Sequence, residues 1–195
     1  MEQTALTEAL VAAGVTVEQT SGWADEVRLG LIDQTRRVWA PVGVKVVEPL
    51  QYERRWCYLV LAVDPRAGRL WWSWTLDMTA SSIVSAVAQW REAGIDAVVW
   101  DPAPAHQTAA VQQEGVTLVA QPPYSPELNP AERVFAAIRL HSEGNVYPNL
   151  SEKYAAVDAF LTELDADPVR VRSLAGWRWI QDALAALPDI HQNAA

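Results

Sequence analysis

Cysteine occurs once, at Cys57, which excludes an internal disulfide and any cysteine-rich zinc site. No window approaches the roughly 18 uninterrupted apolar residues that a membrane span requires, so no membrane partner is expected. The opening MEQTALTEALVAAG has no basic start and carries Glu2 and Glu8, so it reads as an amphipathic helix and not as a secretory leader. Internal repeats and low-complexity linkers are missing too. These absences point to a globular protein of the cytosol. Positive charge is also scarce. Fifteen Lys and Arg face 24 Asp and Glu, and the net charge of −9 argues against a phosphate-rich partner.

The distribution of charge qualifies that sum. Residues 1–27 carry five acids and no base, and residues 56–195 carry sixteen acids and nine bases. Between them, residues 28–55 hold six bases (Arg28, Arg36, Arg37, Lys45, Arg54, Arg55) against three acids. This block is either a solvated strand pair or a face for nucleic acid.

What the chain has in quantity is hydrophobic residues, half of the total, and ten tryptophans, enough for one domain with a sizeable core. Some of the tryptophans are candidates for a binding face. Residues 4–13 read as a helix and 23–31 as a strand. Residues 36–50 read as extended pieces broken by Pro41 and Gly43, and 54–64 with 69–77 as a hairpin. A helix over 79–93 ends at Gly94. IDAVVWD (95–101) has the pattern of a buried strand, 106–114 of a helix, and 116–121 of another strand. From Asn129 on, helices are expected at about 130–141, 151–165 and 168–187. Strands joined by short turns pair antiparallel, and strands joined by helices pair parallel. The fold class is therefore α/β, with a mixed five-stranded sheet, antiparallel first strands and helices on both faces.

Three acids stand where elements meet: Asp25 within the first strand, Asp101 at the end of IDAVVWD, and Glu132 in the first turn after a proline-rich loop. Carboxylates gathered at the carboxyl ends of strands repel one another unless a cation lies between them. Hard oxygen donors with few histidines suit Mg²⁺ or Mn²⁺. Two such ions about 3.5–4 Å apart serve phosphodiester cleavage. Each acid also has a structural reading. Glu132 lies three residues after Asn129, with Pro130 first in the helix, as in a capping box. Asp101 precedes Pro102, as turn formers do. Asp25 and Glu26 would suit a solvated edge.

WDPAPAH (100–106) and PPYSPELNPAER (122–133) resemble the catalytic core of mariner-superfamily insertion-sequence transposases of bacteria. ADEVRLGLIDQTRRVWAPVGVK (24–45) is similar to the segment with that family's first aspartate, and WCYLVLAVDPRAGRLWWSW (56–74) to the hairpin after it. The resemblance implies a ribonuclease H-like, retroviral-integrase-like domain. It also implies an Asp-Asp-Glu metal site of Asp25, Asp101 and Glu132, with Mg²⁺ or Mn²⁺, two ions, as cofactor. The implied activity is cleavage and strand transfer at transposon ends. The implied partners are transposon-end and target DNA, a homodimer mate and a separate helix-turn-helix module. His106, Glu26 and Asn129 become supporting residues. If the net-positive block faces nucleic acid, its arginines, Arg28, Arg36, Arg37, Arg54 and Arg55, are the DNA contacts, because guanidinium forks match phosphate oxygens. Tyr124 either packs the loop or stacks on a base. The expected division is a helical segment over 1–20, a catalytic core over 21–150 and a helical extension over 151–195. Where the family usually has asparagine after the second aspartate, this chain has Pro102. A domesticated DNA- or protein-interaction domain and a stand-alone ribonuclease H-like nuclease are the alternative functions.

Overall fold

A computed structural model describes residues 3–32, 39–47, 51–121, 128–142 and 144–189. Its element order is α1 (Gln3–Ala12), β1 (Ser21–Gly30), β2 (Trp56–Asp64), β3 (Arg69–Thr75), α2 (Ala80–Glu92), β4 (Ala97–Trp100), α3 (Ala109–Gln112), β5 (Thr117–Ala120), α4 (Ala131–Ser142), α5 (Leu150–Asp165), α6 (Pro168–Ala175) and α7 (Arg178–Ala185). The five strands form one sheet in the order β3-β2-β1-β4-β5. β1, β2 and β3 pair antiparallel, and β1, β4 and β5 pair parallel. This is the mixed sheet expected from the short turn after β2 and the helices that flank β4.

The sheet is covered on both faces, and strand alternation decides what each face holds. Trp23, Val27 and Leu29 of β1 join Leu59, Leu61 and Val63 of β2 and Ala97 and Val99 of β4 under α1 and α4 to α7. The alternate residues Ala24, Val60, Ala62, Val98 and Trp100 pack under α2 and α3. Of the ten tryptophans, Trp23, Trp90 and Trp100 are buried, and Trp39 and Trp56 are the two exposed ones.

The β2–β3 turn is built by a buried aspartate. Asp64 Oδ1 accepts the amides of Arg66 at 2.7 Å and Ala67 at 2.9 Å. Gly68 closes the turn at φ +73°, where a Cβ would lie 2.3 Å from the Pro168 carbonyl oxygen. Asp64 takes two strong bonds, yet burial still holds its carboxyl above the usual range.

Two expectations need correction. The helix expected over 106–114 shrinks to α3, because His106 turns inward to the site and the helix starts only after the Thr108 cap. The helix expected over 168–187 is two helices, α6 and α7. Gly176 lies where a Cβ would be 2.7 Å from Arg172 O and 3.0 Å from Pro65 O, and Trp177 is extended before α7 begins. Of the extended pieces expected over 36–50, residues 36–38 and 48–50 lie outside the described residues, and 39–47 are irregular around one turn, with Val44 N bonded to Pro41 O at 3.1 Å and Gly43 at φ +85°.

Candidate active site

Asp25 lies in the middle of β1 on the face that α4 covers, between Trp23 and Val27. β4 runs parallel beside it, with Ser21, Gly22 and Trp23 level with Ala97, Val98 and Val99. Carried two residues further, that register brings Asp101, just past the end of β4, level with Asp25 and on the same face. Glu132 is the acid in the first turn of α4, the helix over that face.

The start of α4 is tied to β1 through Asn129, which is buried. Its Nδ2 donates to Ala24 O at 2.9 Å and to Asp25 Oδ2 at 3.3 Å. Its Oδ1 accepts the Ala131 amide at 3.0 Å, so one side chain caps the helix and holds the aspartate. Asp25 Oδ1 accepts the Glu26 amide at 2.8 Å. Burial pushes the Asp25 carboxyl up to about 7; the Glu26 amide opposes this, and the charges of Glu26, Glu132 and Asp101 add to it. The three acids thus share one electrostatic neighbourhood centred on Asp25.

Glu26, one residue on, points to the opposite face of the sheet. Its Oε1 lies 2.8 Å from His106 Nε2. His106 Nδ1 lies 2.7 Å from Asp101 Oδ1 and 3.1 Å from Asp101 O. The ring stacks on Trp100, centroids 4.0 Å apart. Every partner of both ring nitrogens is an acceptor, which suits the doubly protonated imidazolium. Burial disfavours that cation, but the bond and charge of Glu26, then the carbonyl and charge of Asp101, hold His106 above its ordinary value.

Glu132 takes a different partner. Its Oε2 is 3.7 Å from Arg139 Nη1, and both side chains are more than a third exposed. The donor set of Asp25, Asp101 and Glu132 is all carboxylate oxygen, the chemistry of a hard divalent cation. Among the described residues, however, no three His, Cys, Asp or Glu side chains form a ready-made metal cage. Asp101 is drawn to His106 and Glu132 leans to Arg139, so the three carboxylates are neighbours without being gathered on one point.

Of the basic block, Arg28, Arg54 and Arg55 are exposed. Arg28 stands over the Trp56 ring at 5.3 Å, and Arg55 Nη1 meets Glu53 Oε1 at 3.1 Å. Arg36, Arg37 and Tyr124 lie outside the described residues. Sequence reading missed two participants, Trp100 and Arg139. The first was readable in principle, since strand alternation turns it away from Asp101 towards the His106 side. The second stands seven residues after Glu132, a spacing that carries no strong helix signal.

Among the described residues no helix is long and apolar enough to cross a membrane. No curated protein matches the chain significantly. Among solved structures, it superposes on the Mos1 transposase paired-end complex with left transposon end at TM-score 0.63 and 15% identity, covering 94% of this chain and 59% of that one. The Mos1 mariner paired-end complex with Mn gives 0.62 and 15%, covering 97% and 62%. The catalytic domain of Mos1 mariner transposase gives 0.57 and 14%, covering 94% and 91%. At such identities the likeness shows the shared ribonuclease H-like fold, and the chain spans only about three fifths of the longer transposase chains. The model of the DDE superfamily endonucleases matches residues 21–152, and to that family the chain belongs.

Proposed function

We propose that this chain is the catalytic domain of a transposase, cutting DNA at transposon ends and joining the freed 3′-hydroxyl to target DNA. The observation that carries this reading is the half-buried Asp25, tied to α4 by Asn129 and raised chiefly by burial, with the charges of Glu26, Glu132 and Asp101 adding to it, in a DDE-family fold. Residues 21–150 form the catalytic core. Residues 1–20 and 151–195 are helical flanks of the same domain, in keeping with the core that α1 shares with α5 to α7. Solved relatives include transposase complexes with transposon-end DNA, with Mn and with Mg. By analogy the partners here are DNA, a second copy and a separate DNA-reading module, and the compartment is the cytosol.

Asp25, Asp101 and Glu132 would hold the divalent ions, two in number. When bound, such ions supply Lewis-acid activation of water and charge neutralisation at the phosphate. The chain's own residues prepare this. Asn129 and the Glu26 amide fix Asp25 from two sides. His106 fixes Asp101. The pair between Glu132 and Arg139 is exposed and weak, so the Glu132 carboxylate is free to swing inward at little cost. Arg28, Arg54 and Arg55, with Arg36 and Arg37, supply guanidinium forks for backbone phosphates.

The test is nicking of supercoiled DNA with Mn²⁺, which tolerates imperfect coordination better than Mg²⁺ does. Slow metal-dependent nicking that disappears in Asp101→Ala is expected. A folded chain that binds DNA but fails to cleave it under any metal would overturn the reading in favour of a non-catalytic interaction domain.

A further inference from the structure

Asp25 and Glu26 are chain neighbours whose side chains leave opposite faces of β1. Asp25 faces α4. Glu26 reaches round the end of β4 on the α2 side and meets His106, which in turn meets Asp101. The loop from Asp101 to His106 is short, closed by the His106 amide on Ala103 O at 3.0 Å. Within it, residue 102 is proline and has no amide to offer the Asp101 carboxylate. The Ala103 amide reaches Asp101 Oδ1 only at 3.4 Å. The short contact on that oxygen is His106 Nδ1 at 2.7 Å, and the Asp101 side chain is otherwise 55% exposed.

From this geometry we propose that Glu26 is a positioning residue for Asp101, acting through His106. The imidazole is gripped at Nε2 by Glu26 and clamped flat against Trp100. Its Nδ1 is thereby held against Asp101, hydrogen-bonded to the backbone carbonyl at 3.1 Å and in charged contact with Oδ1 at 2.7 Å, where Pro102 offers no amide. The two neighbouring acids of β1 therefore address Asp101 from both faces of the sheet. Asp25 is its fellow ligand, and Glu26 sets its orientation through the ring. The inference rests on the metal-site reading above for its consequence, while the linkage itself is a property of the metal-free protein.

The experiment uses the full chain as wild type, Glu26→Ala, Glu26→Gln, His106→Ala and the double variant Glu26→Ala/His106→Ala. In metal-free protein, the ¹³Cγ resonance of Asp101 should move in Glu26→Ala, although Glu26 does not touch Asp101. The same Glu26 change made in His106→Ala should leave it where His106→Ala put it. Mn²⁺ affinity should fall about tenfold to a hundredfold in either single variant, the usual effect of removing an outer partner of a ligand. It should fall no further in the double variant, because both residues act in one chain of contacts. Glu26→Gln, which keeps an acceptor oxygen for Nε2–H, should lose less than Glu26→Ala; it also serves if the alanine variant fails to fold. An unmoved Asp101 resonance in folded Glu26→Ala and Glu26→Gln, or additive losses in the double variant, overturns the linkage. A wild type that binds no Mn²⁺ overturns the metal-site reading instead, and the resonance comparison still decides the linkage.

Discussion

The carboxamide of Asn129 lies 3.3 Å from Asp25 Oδ2 and joins the first turn of α4 to the middle of β1. It also donates to Ala24 O and caps the Ala131 amide, so three bonds converge on one buried side chain. Asn129→Ala would strand a buried carbonyl and a helix amide. We expect it to cost about 2–3 kcal/mol, the sum of a lost cap and an unsatisfied buried group. Asn129→Asp keeps the cap acceptor but sets a second carboxylate against Asp25, and should be at least as damaging at neutral pH. Urea denaturation of both variants checks this; a loss below about 0.5 kcal/mol in Asn129→Ala would show that the bridge holds nothing.

Asp25 makes the metal-free protein pH-sensitive. Its folded-state carboxyl is pushed from 3.8 to about 7, chiefly by burial. The folded state therefore holds a proton that the unfolded chain has released, and this contribution to stability is fully present below pH 3.8 and lost as pH rises through about 7. In EDTA, stability should fall between pH 4 and 7 by up to about 4 kcal/mol from this group alone. His106, raised as well, contributes in the same direction from its ordinary value upward. Asp25→Asn should flatten most of the slope, and Mg²⁺ should restore stability at pH 7.5 and not at pH 5. Equal slopes in wild type and Asp25→Asn would sink this account.

For Glu132 the choice between helix cap and site ligand becomes measurable. Asn129 supplies the cap itself through Ala131, and the Glu132 carboxylate meets Arg139. An exposed pair of this kind is worth under about 1 kcal/mol. Glu132→Gln should leave stability within about 0.5 kcal/mol while removing metal-dependent nicking. A large stability loss with nicking intact would return Glu132 to a capping role.

Much of the fold was legible because its signals are local. The run RRWCYLVLAVD, the turn PRAG and the run RLWWSWTLD announce a hairpin by composition alone. The apolar IDAVVWD announces a buried strand. The positions of Asp25 within a strand, Asp101 after a strand and Glu132 in a first helical turn follow from the same patterns. What sequence could not show arises between distant segments. At the break, Gly176 lies so close to the Pro65 carbonyl, more than 100 residues away, that a Cβ there would be 3.0 Å from it. That Glu26 turns to His106 needs the end of β4 beside β1. Arg139 against Glu132 depends on how a surface helix presents its side chains.

The basic block offers the last test. Residues 28–55 are the one net-positive stretch of an acidic chain, and Arg28, Arg54 and Arg55 are exposed. Arg28 is preset by its stacking over Trp56, which lowers the cost of ordering it on a phosphate. Each arginine that neutralises a phosphate contributes about −0.9 to the slope of log K against log salt on duplex DNA. Replacing Arg36, Arg37, Arg54 and Arg55 together by glutamine should reduce that slope by about 3 to 4, if all four touch phosphate, and weaken binding at low salt most. The substitutions lie outside the carboxylate cluster, so folding and Mn²⁺ affinity should hold. A binding constant and salt slope unchanged by all four replacements would make the block a solvated face and move DNA recognition to another surface.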